Sequence, residues 1–388
     1  MTQNSDIFPF RKILVISGGH FSHDLFTSFL AVFLPLLIDK FSLSLALAGT
    51  FTVIFRAPSL LNPLLGLIFD RTNFYYPVIW GPVVTAVAMS LIGVAPSYGA
   101  VCVLLLFAGI SSSMFHVVGP VMIARMAGYD IGRGMSFWMT GGEIARFAGP
   151  VLGVWAISFW GFEGCYPVML LGLLASLFLH VQFRDIDSGT VSKHRMHISK
   201  SLRSLGRVML PLSGIMVAVI LIAAPLMAFL PTFMVASGKS LWFGGVALAV
   251  LEGAGALGTI TGGTLSDRLG RRRMLAVAIP LSALLMLTFL YAPGWMTIPL
   301  LSLLGFTLFS ITPIELAIVQ DHCIGQRGVA NGLYMGISFI ITAAVTISAG
   351  WLSDQVGLQT AMAICALIGF AGTFFVLFLP TRPIESKK

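Results

Sequence analysis

Residues 263–273 read Gly263-Thr264-Leu265-Ser266-Asp267-Arg268-Leu269-Gly270-Arg271-Arg272-Arg273, a short charged stretch between two long apolar ones. An earlier stretch, Gly66-Leu67-Ile68-Phe69-Asp70-Arg71, carries the same Gly and Asp-Arg spacing. Its second glycine and further arginines are replaced by Thr72-Asn73-Phe74-Tyr75. A third echo, Gly350-Trp351-Leu352-Ser353-Asp354, lies near the end of the chain. The first two fall at matching places in the two halves, so the chain reads as an internal repeat. Repeats of this kind are expected of secondary transporters, which bind substrate at the repeat interface near mid-membrane.

Composition points the same way. Of 388 residues, 57% are hydrophobic and 10% are charged. Soluble domains carry roughly 25% charge, so too few polar residues exist here to cover a water-exposed surface. A cytosolic globular enzyme and a disordered chain are both excluded. The formal net charge is +8. In a bilayer protein such an excess reflects cytoplasmic loops, so no nucleic acid is expected as a partner.

A bilayer core of about 30 Å takes roughly 20 apolar residues per helix. That ruler gives twelve spans, near 12–37, 45–69, 77–95, 99–126, 134–160, 164–183, 207–236, 241–265, 274–291, 295–320, 328–352 and 357–379. The first run is too long for a signal-peptide core and lacks a small-residue cleavage site, so it is expected to span. With the N-terminus in the cytoplasm, 19 of the 23 Lys and Arg residues fall on the inner side. Only Lys40 and Lys239 fall outside, while Arg56 and Arg146 lie within spans. This asymmetry favours an even number of spans and two cytoplasmic termini. Residues 1–183 and 207–388 are then two six-helix bundles, joined by a cytoplasmic linker over 184–206. The four cysteines (Cys102, Cys165, Cys323, Cys365) have no metal-like spacing and read as small apolar residues without disulfides.

Twelve spans, a central loop and the motif at 263–273 together resemble the major facilitator superfamily. The resemblance implies an all-α membrane fold of two pseudo-symmetric six-helix bundles that rock about a central site. It also implies a cytoplasmic gate, with Asp267 capping a neighbouring helix and Arg268 and Arg271 pairing across that face. Asp70 and Arg71 are its counterparts in the first half. Alternatively, the arginines do no more than hold the loop inside. In the fifth span, Gly149-Pro150-Val151-Leu152-Gly153 is similar to the motif of the superfamily's antiporters, although small residues and a proline also serve close packing. Gly19-His20-Phe21-Ser22-His23-Asp24, Ser112-Ser113-Met114-Phe115-His116 and Ala124-Arg125-Met126-Ala127 resemble the fosmidomycin-resistance branch, which comprises drug exporters driven by proton antiport.

Six Asp, Glu and Arg residues sit well inside spans: Asp24, Arg56, Glu143, Arg146, Glu252 and Glu315, accompanied by His20, His23 and His116. Each costs a few kcal/mol there and marks a functional candidate. None of these six carboxylates and arginines falls in the third, sixth, ninth or twelfth span, the four that face lipid in the superfamily. Asp24, Glu143 and Glu252 are the proton-coupling candidates, since a carboxylate removed from water takes a proton more readily. His20 lies four residues before Asp24 on the same helix face. The alternative for this pair is a structural tie between helices. His23 is expected to point elsewhere. Glu143 and Arg146, three apart, either neutralise each other or form a switch released by protonation. Arg56 and Arg146 are the candidates for an acidic substrate group, with His20, His116 and Glu315 completing the substrate set. Glu315 alternatively belongs to a cytoplasmic gate.

Walker, zincin and nucleophile-elbow motifs are absent, so no enzyme activity is expected. His20 and His23 lie on different faces of a helix, so no metal is expected, nor any cofactor beyond a proton gradient. The reading is a monomeric multi-pass transporter of a bacterial inner membrane, exporting a small organic compound by proton antiport. Proton-coupled uptake of an organic anion is the first alternative, and a non-transporting membrane receptor or scaffold is the second.

Overall fold

The computed structural model describes residues 9–69, 75–127, 130–184, 202–322 and 327–379. Asp70 and Arg71 lie outside the described residues, as do Cys323 and most of the 184–206 linker. The described residues form twelve helical rods and no strands. In chain order they are α1 (Phe10–Phe41), α2 (residues 45–69), α3 (Tyr76–Val94), α4 (Tyr98–Ala127), α5 (Ile131–Trp160), α6 (Tyr166–Phe183), α7 (Leu202–Ala236), α8 (Leu241–Leu269), α9 (Arg271–Tyr291), α10 (residues 294–322), α11 (Arg327–Val356) and α12 (Leu358–Phe378).

Ten of these rods contain a helix long and apolar enough to cross a membrane. The other two have local explanations. In α2, Pro58 lies in a 3-10 turn over Ala57–Leu61 that divides the rod into Leu45–Arg56 and Asn62–Phe69, each short. Proline lacks the N–H a regular helix needs there. At 30 residues α5 is long enough, but Arg133, Glu143, Arg146 and several glycines dilute its apolar character.

Helix ends follow ordinary chemistry. The Ser240 hydroxyl accepts the N–H of Phe243 at 3.2 Å and starts α8. Gly270 turns the chain from α8 into α9 with φ 93°, and Gly357 turns it from α11 into α12 with φ 84°. A side chain would be strained at either turn. Lipid supplies no hydrophobic drive between helices, so close packing must supply the contact. The surfaces left over are apolar, as on α6 with Leu170, Leu174, Phe178 and Val181 and on α12 with Leu367, Phe370, Phe374 and Phe378.

By its contacts the chain divides into two compact units, whose bounds cut through α1 and α2. The first comprises Met1–Phe33 with Ile54–His194, and the second Leu34–Val53 with Arg195–Lys388. In the first unit, α1 lies along α5 and α3 packs on α6 and α4. Its core gathers Ile13, Ile16, Phe115, Met122, Trp138 and Leu179. In the second unit, α8 lies along α10, and α7 packs on α11 and α12. Met209, Leu212, Met216, Val319 and Tyr334 form a core cluster there.

Candidate functional site

The polar centre of the first unit is built by α1, α4 and α5. Glycines let α5 approach α1 closely. A Cβ at Gly141 would stand 2.4 Å from the Ser17 carbonyl oxygen, and one at Gly149 would stand 2.5 Å from that of Leu25. The Gly149-Pro150-x-x-Gly153 motif thus serves at least as a packing seam. Along this seam α1 presents His20 and Asp24, one turn apart and both buried. Asp24 Oδ2 is 3.2 Å from His20 Nε2. From α4, His116 brings its Nε2 to 3.3 Å from Asp24 Oδ1 and 3.3 Å from His20 Nε2. His23 does not point away as expected: its Nδ1 lies 2.8 Å from Asp24 Oδ1. Although His23 is off the His20 face, a carboxylate on the next residue reaches round to its ring.

Aromatic stacking holds the rings. His20 lies on Trp138 of α5, with centroids 4.0 Å apart and planes 19° apart. His23 lies on Phe115 of α4, at 4.2 Å and 6°. The Asp24 carboxylate is therefore surrounded by three imidazoles. Neither Phe115 nor Trp138 carries charge, so no mid-span charge pattern could single them out in the sequence.

Farther along α5, Glu143 and Arg146 form an ion pair, with side chains 12% and 39% exposed. The three-residue spacing is what brings them together. Arg56 ends the first segment of α2 and is exposed.

Within the second unit, Glu252 is buried on α8 and Glu315 is buried on α10. Glu315 Oε2 accepts the Tyr334 hydroxyl at 2.8 Å. Its Oε1 is buried without a hydrogen-bond partner among the described residues. A phenol carries no charge at ordinary pH, and Tyr334 was not among the sequence candidates. At the α8–α9 turn, Arg271 contacts Asp267 at 3.4 Å and Asp321 of α10 at 2.7 Å. Arg268 is exposed. Asp267 thus meets a side chain four residues on. A helix-capping carboxylate is seen at Asp354, in the third echo of the motif, which accepts the N–H groups of Leu45 and Ala46. The sequence could have suggested Asp321, since an acid at the end of the tenth span falls on the same side as the arginine run.

The family model of the Major Facilitator Superfamily matches residues 16–345. The fosmidomycin resistance protein of Escherichia coli is 28% identical, over 94% of this chain and 91% of its own. An uncharacterised MFS-type transporter of Bacillus subtilis, YfnC, is 24% identical over 93% and 91%. Among solved structures, a bacterial homologue of the human lysosomal transporter Spinster, inward-facing and occupied, superposes with a TM-score of 0.80 at 14% identity, over 95% of this chain and 96% of that one. A D-xylose–proton symporter superposes with a TM-score of 0.75 at 15% identity, over 96% and 98%. An all-helical fold, apolar spanning rods and a family match over most of the chain agree: the chain is a multi-pass membrane transporter, not an enzyme, and belongs to the major facilitator superfamily.

Proposed function

We propose that this transporter exports a small organic, drug-like compound in exchange for protons. The observation that carries the reading is the Glu143–Arg146 ion pair within α5. An ionisable pair inside a spanning helix is costly and marks a pathway or a coupling site. With Glu143 ionised, the pair is closed. A proton on Glu143 cancels its charge and releases Arg146.

What the substrate does to this pair sets the sign of the coupling. A compound that offers Glu143 a hydrogen-bond donor or a positive charge competes with the proton for the same oxygens. Competition for one site is the basis of antiport. The relative's name, which records resistance to fosmidomycin, supports outward movement. In this reading both termini and the Asp267–Arg273 loop face the cytoplasm of a bacterial inner membrane, and the monomer is the working unit.

A second reading is favoured by one observation: Arg146 is the more exposed member of the pair, 39% against 12%. A compound offering Arg146 an acidic group would free Glu143 to take a proton. Shared binding is symport, and the cargo would be a small organic anion taken up with a proton.

Proteoliposomes with an acid lumen separate the two. Antiport accumulates a cationic or neutral drug in the acid lumen, and Glu143→Gln abolishes that accumulation while sparing substrate exchange. Symport instead requires acid outside and an acidic cargo. Gradient-driven accumulation unchanged by Glu143→Gln would overturn the proton assignment.

A further inference from the structure

Three lone pairs converge where α1 meets α4, and nothing in the proposed transport cycle uses them. His20 donates its Nδ1–H to the Trp138 carbonyl at 2.7 Å. His116 donates its Nδ1–H to the Ser112 carbonyl at 2.9 Å. A carbonyl only accepts, so each neutral ring carries its hydrogen on Nδ1 and leaves Nε2 bare. Those two nitrogens are 3.3 Å apart. They stand 3.2 and 3.3 Å from the two oxygens of Asp24. With both rings neutral these groups are all acceptors, and acceptors held at such distances need a positive charge among them, either a proton or a metal ion.

The spacing suits a particular kind of cation. A tetrahedral ion with bonds of about 2.0–2.1 Å requires neighbouring donors about 3.3 Å apart. The nitrogen–nitrogen distance and the distance from each nitrogen to its facing Asp24 oxygen match that edge. The two nitrogens face different oxygens of the carboxylate, and one donor atom from each of the three residues lies within 4.8 Å of the others. The surroundings also match those of a metal centre. Ligating imidazoles commonly give their other N–H to a backbone carbonyl, which fixes tautomer and ring orientation. Both histidines do so here. The carboxylate is itself steadied by the 2.8 Å contact with His23 Nδ1. Stacking on Trp138 fixes the His20 ring. On the α5 side, a Cβ at Gly142 would stand 2.9 Å from His20 Nε2 and 3.2 Å from Asp24 Oδ2. Glycine there keeps two of the three donors uncrowded.

The geometry points to a mononuclear site for a divalent transition-metal ion, with zinc the best match, bound by His20 Nε2, His116 Nε2 and the Asp24 carboxylate. Two imidazoles with one carboxylate suit zinc, cobalt or nickel, whereas magnesium and calcium take oxygen ligands. Three protein donors leave the fourth corner for water or for a donor atom of a bound compound. The His116 side chain is 38% exposed, so that corner is reachable. The sequence pointed away from a metal because it considered His20 with His23. The third ligand comes instead from α4, 96 residues after His20.

The test uses the full chain, purified in detergent without affinity histidines and stripped by a chelator. Titration with Co2+ is expected to give the visible absorption of tetrahedral cobalt, saturating at one equivalent. Zn2+ should displace the cobalt and raise the unfolding temperature, while Mg2+ does neither. His116→Ala and Asp24→Asn should each remove the cobalt band and weaken Zn2+ binding on the order of 100-fold or more. His180→Ala, on α6, should leave both unchanged. A wild-type chain that gives no tetrahedral cobalt band overturns the proposal, whichever variants fold, and leaves the cluster closed by a proton alone. A band that survives both His116→Ala and Asp24→Asn overturns it as well.

Discussion

The Asp354 carboxylate, at the end of α11, caps the first turn of α2 by accepting the backbone N–H of Leu45 at 2.7 Å and that of Ala46 at 3.0 Å. The first N–H groups of a helix have no partner within it, and the helix dipole adds a partial positive charge at that end. A carboxylate answers both. The contact also requires backbones to meet, since a Cβ at Gly350, one turn before Asp354, would stand 2.5 Å from the Leu45 carbonyl oxygen.

Removing this cap should be measurable. Asp354→Ala leaves two N–H groups without their acceptors and is expected to cost about 1 kcal/mol, the usual cost of a lost helix cap. That corresponds to a fall of roughly 2 °C in unfolding temperature for a chain of this size. Asp354→Asn keeps an acceptor oxygen but loses the charge, so it should fall between wild type and Asp354→Ala. Thermal unfolding of the full chain in detergent reads the series. An alanine variant as stable as wild type would mean that these bonds contribute nothing to the fold.

Local features of the chain were legible before its long-range contacts were. Twelve rods follow from apolar run length, because lipid forces every spanning segment to satisfy its own backbone. His20 and Asp24 meet because four residues make one helical turn, and Glu143 meets Arg146 for a similar reason. The arrival of His116 beside them could not be read, since no periodicity links residues 96 apart on different helices. His23 was misjudged because face periodicity describes Cβ directions, and a flexible carboxylate reaches past them. Tyr334 escaped attention because a search for charges passes over a neutral hydroxyl, even when it is the donor to Glu315. The Gly-x-x-Ser-Asp echo at 350–354 was visible, but its target at Leu45 lies 309 residues away.

Opposite outcomes are expected for two glycines, one in the seam between α1 and α5 and one within α11. At Gly149 a methyl would meet the Leu25 carbonyl oxygen at 2.5 Å and Ser28 Cβ at 2.7 Å. Backbone cannot swing aside as a side-chain tip can, so Gly149→Ala should destabilise by about 1–3 kcal/mol, the range for overpacking. At Gly336, within α11, a methyl would meet nothing within 4 Å among the described residues. There Gly336→Ala should stabilise by about 0.5–1 kcal/mol, because alanine loses less conformational freedom in a helix. A Gly149→Ala variant as stable as wild type would contradict the packing described for α1 and α5, and a Gly336→Ala variant that loses stability would contradict the open space beside Gly336.

Glu315 of α10 and Tyr334 of α11 are a buried, hydrogen-bonded pair. Tyr334 donates to one oxygen of Glu315, and the other oxygen has no hydrogen-bond partner among the described residues. Tyr334→Phe keeps the ring and removes the donor, leaving both oxygens bare. A buried polar group stripped of its bond costs about 1–3 kcal/mol. The double variant Glu315→Leu with Tyr334→Phe removes the acceptor too and leaves an apolar contact of similar shape, which can be close to neutral. It should therefore recover most of the stability lost by Tyr334→Phe alone, despite carrying one more substitution. Equal losses in the single and double variants would show that the hydroxyl does not satisfy Glu315. A full recovery accompanied by lost gradient-driven transport would assign the carboxyl to function rather than to the fold.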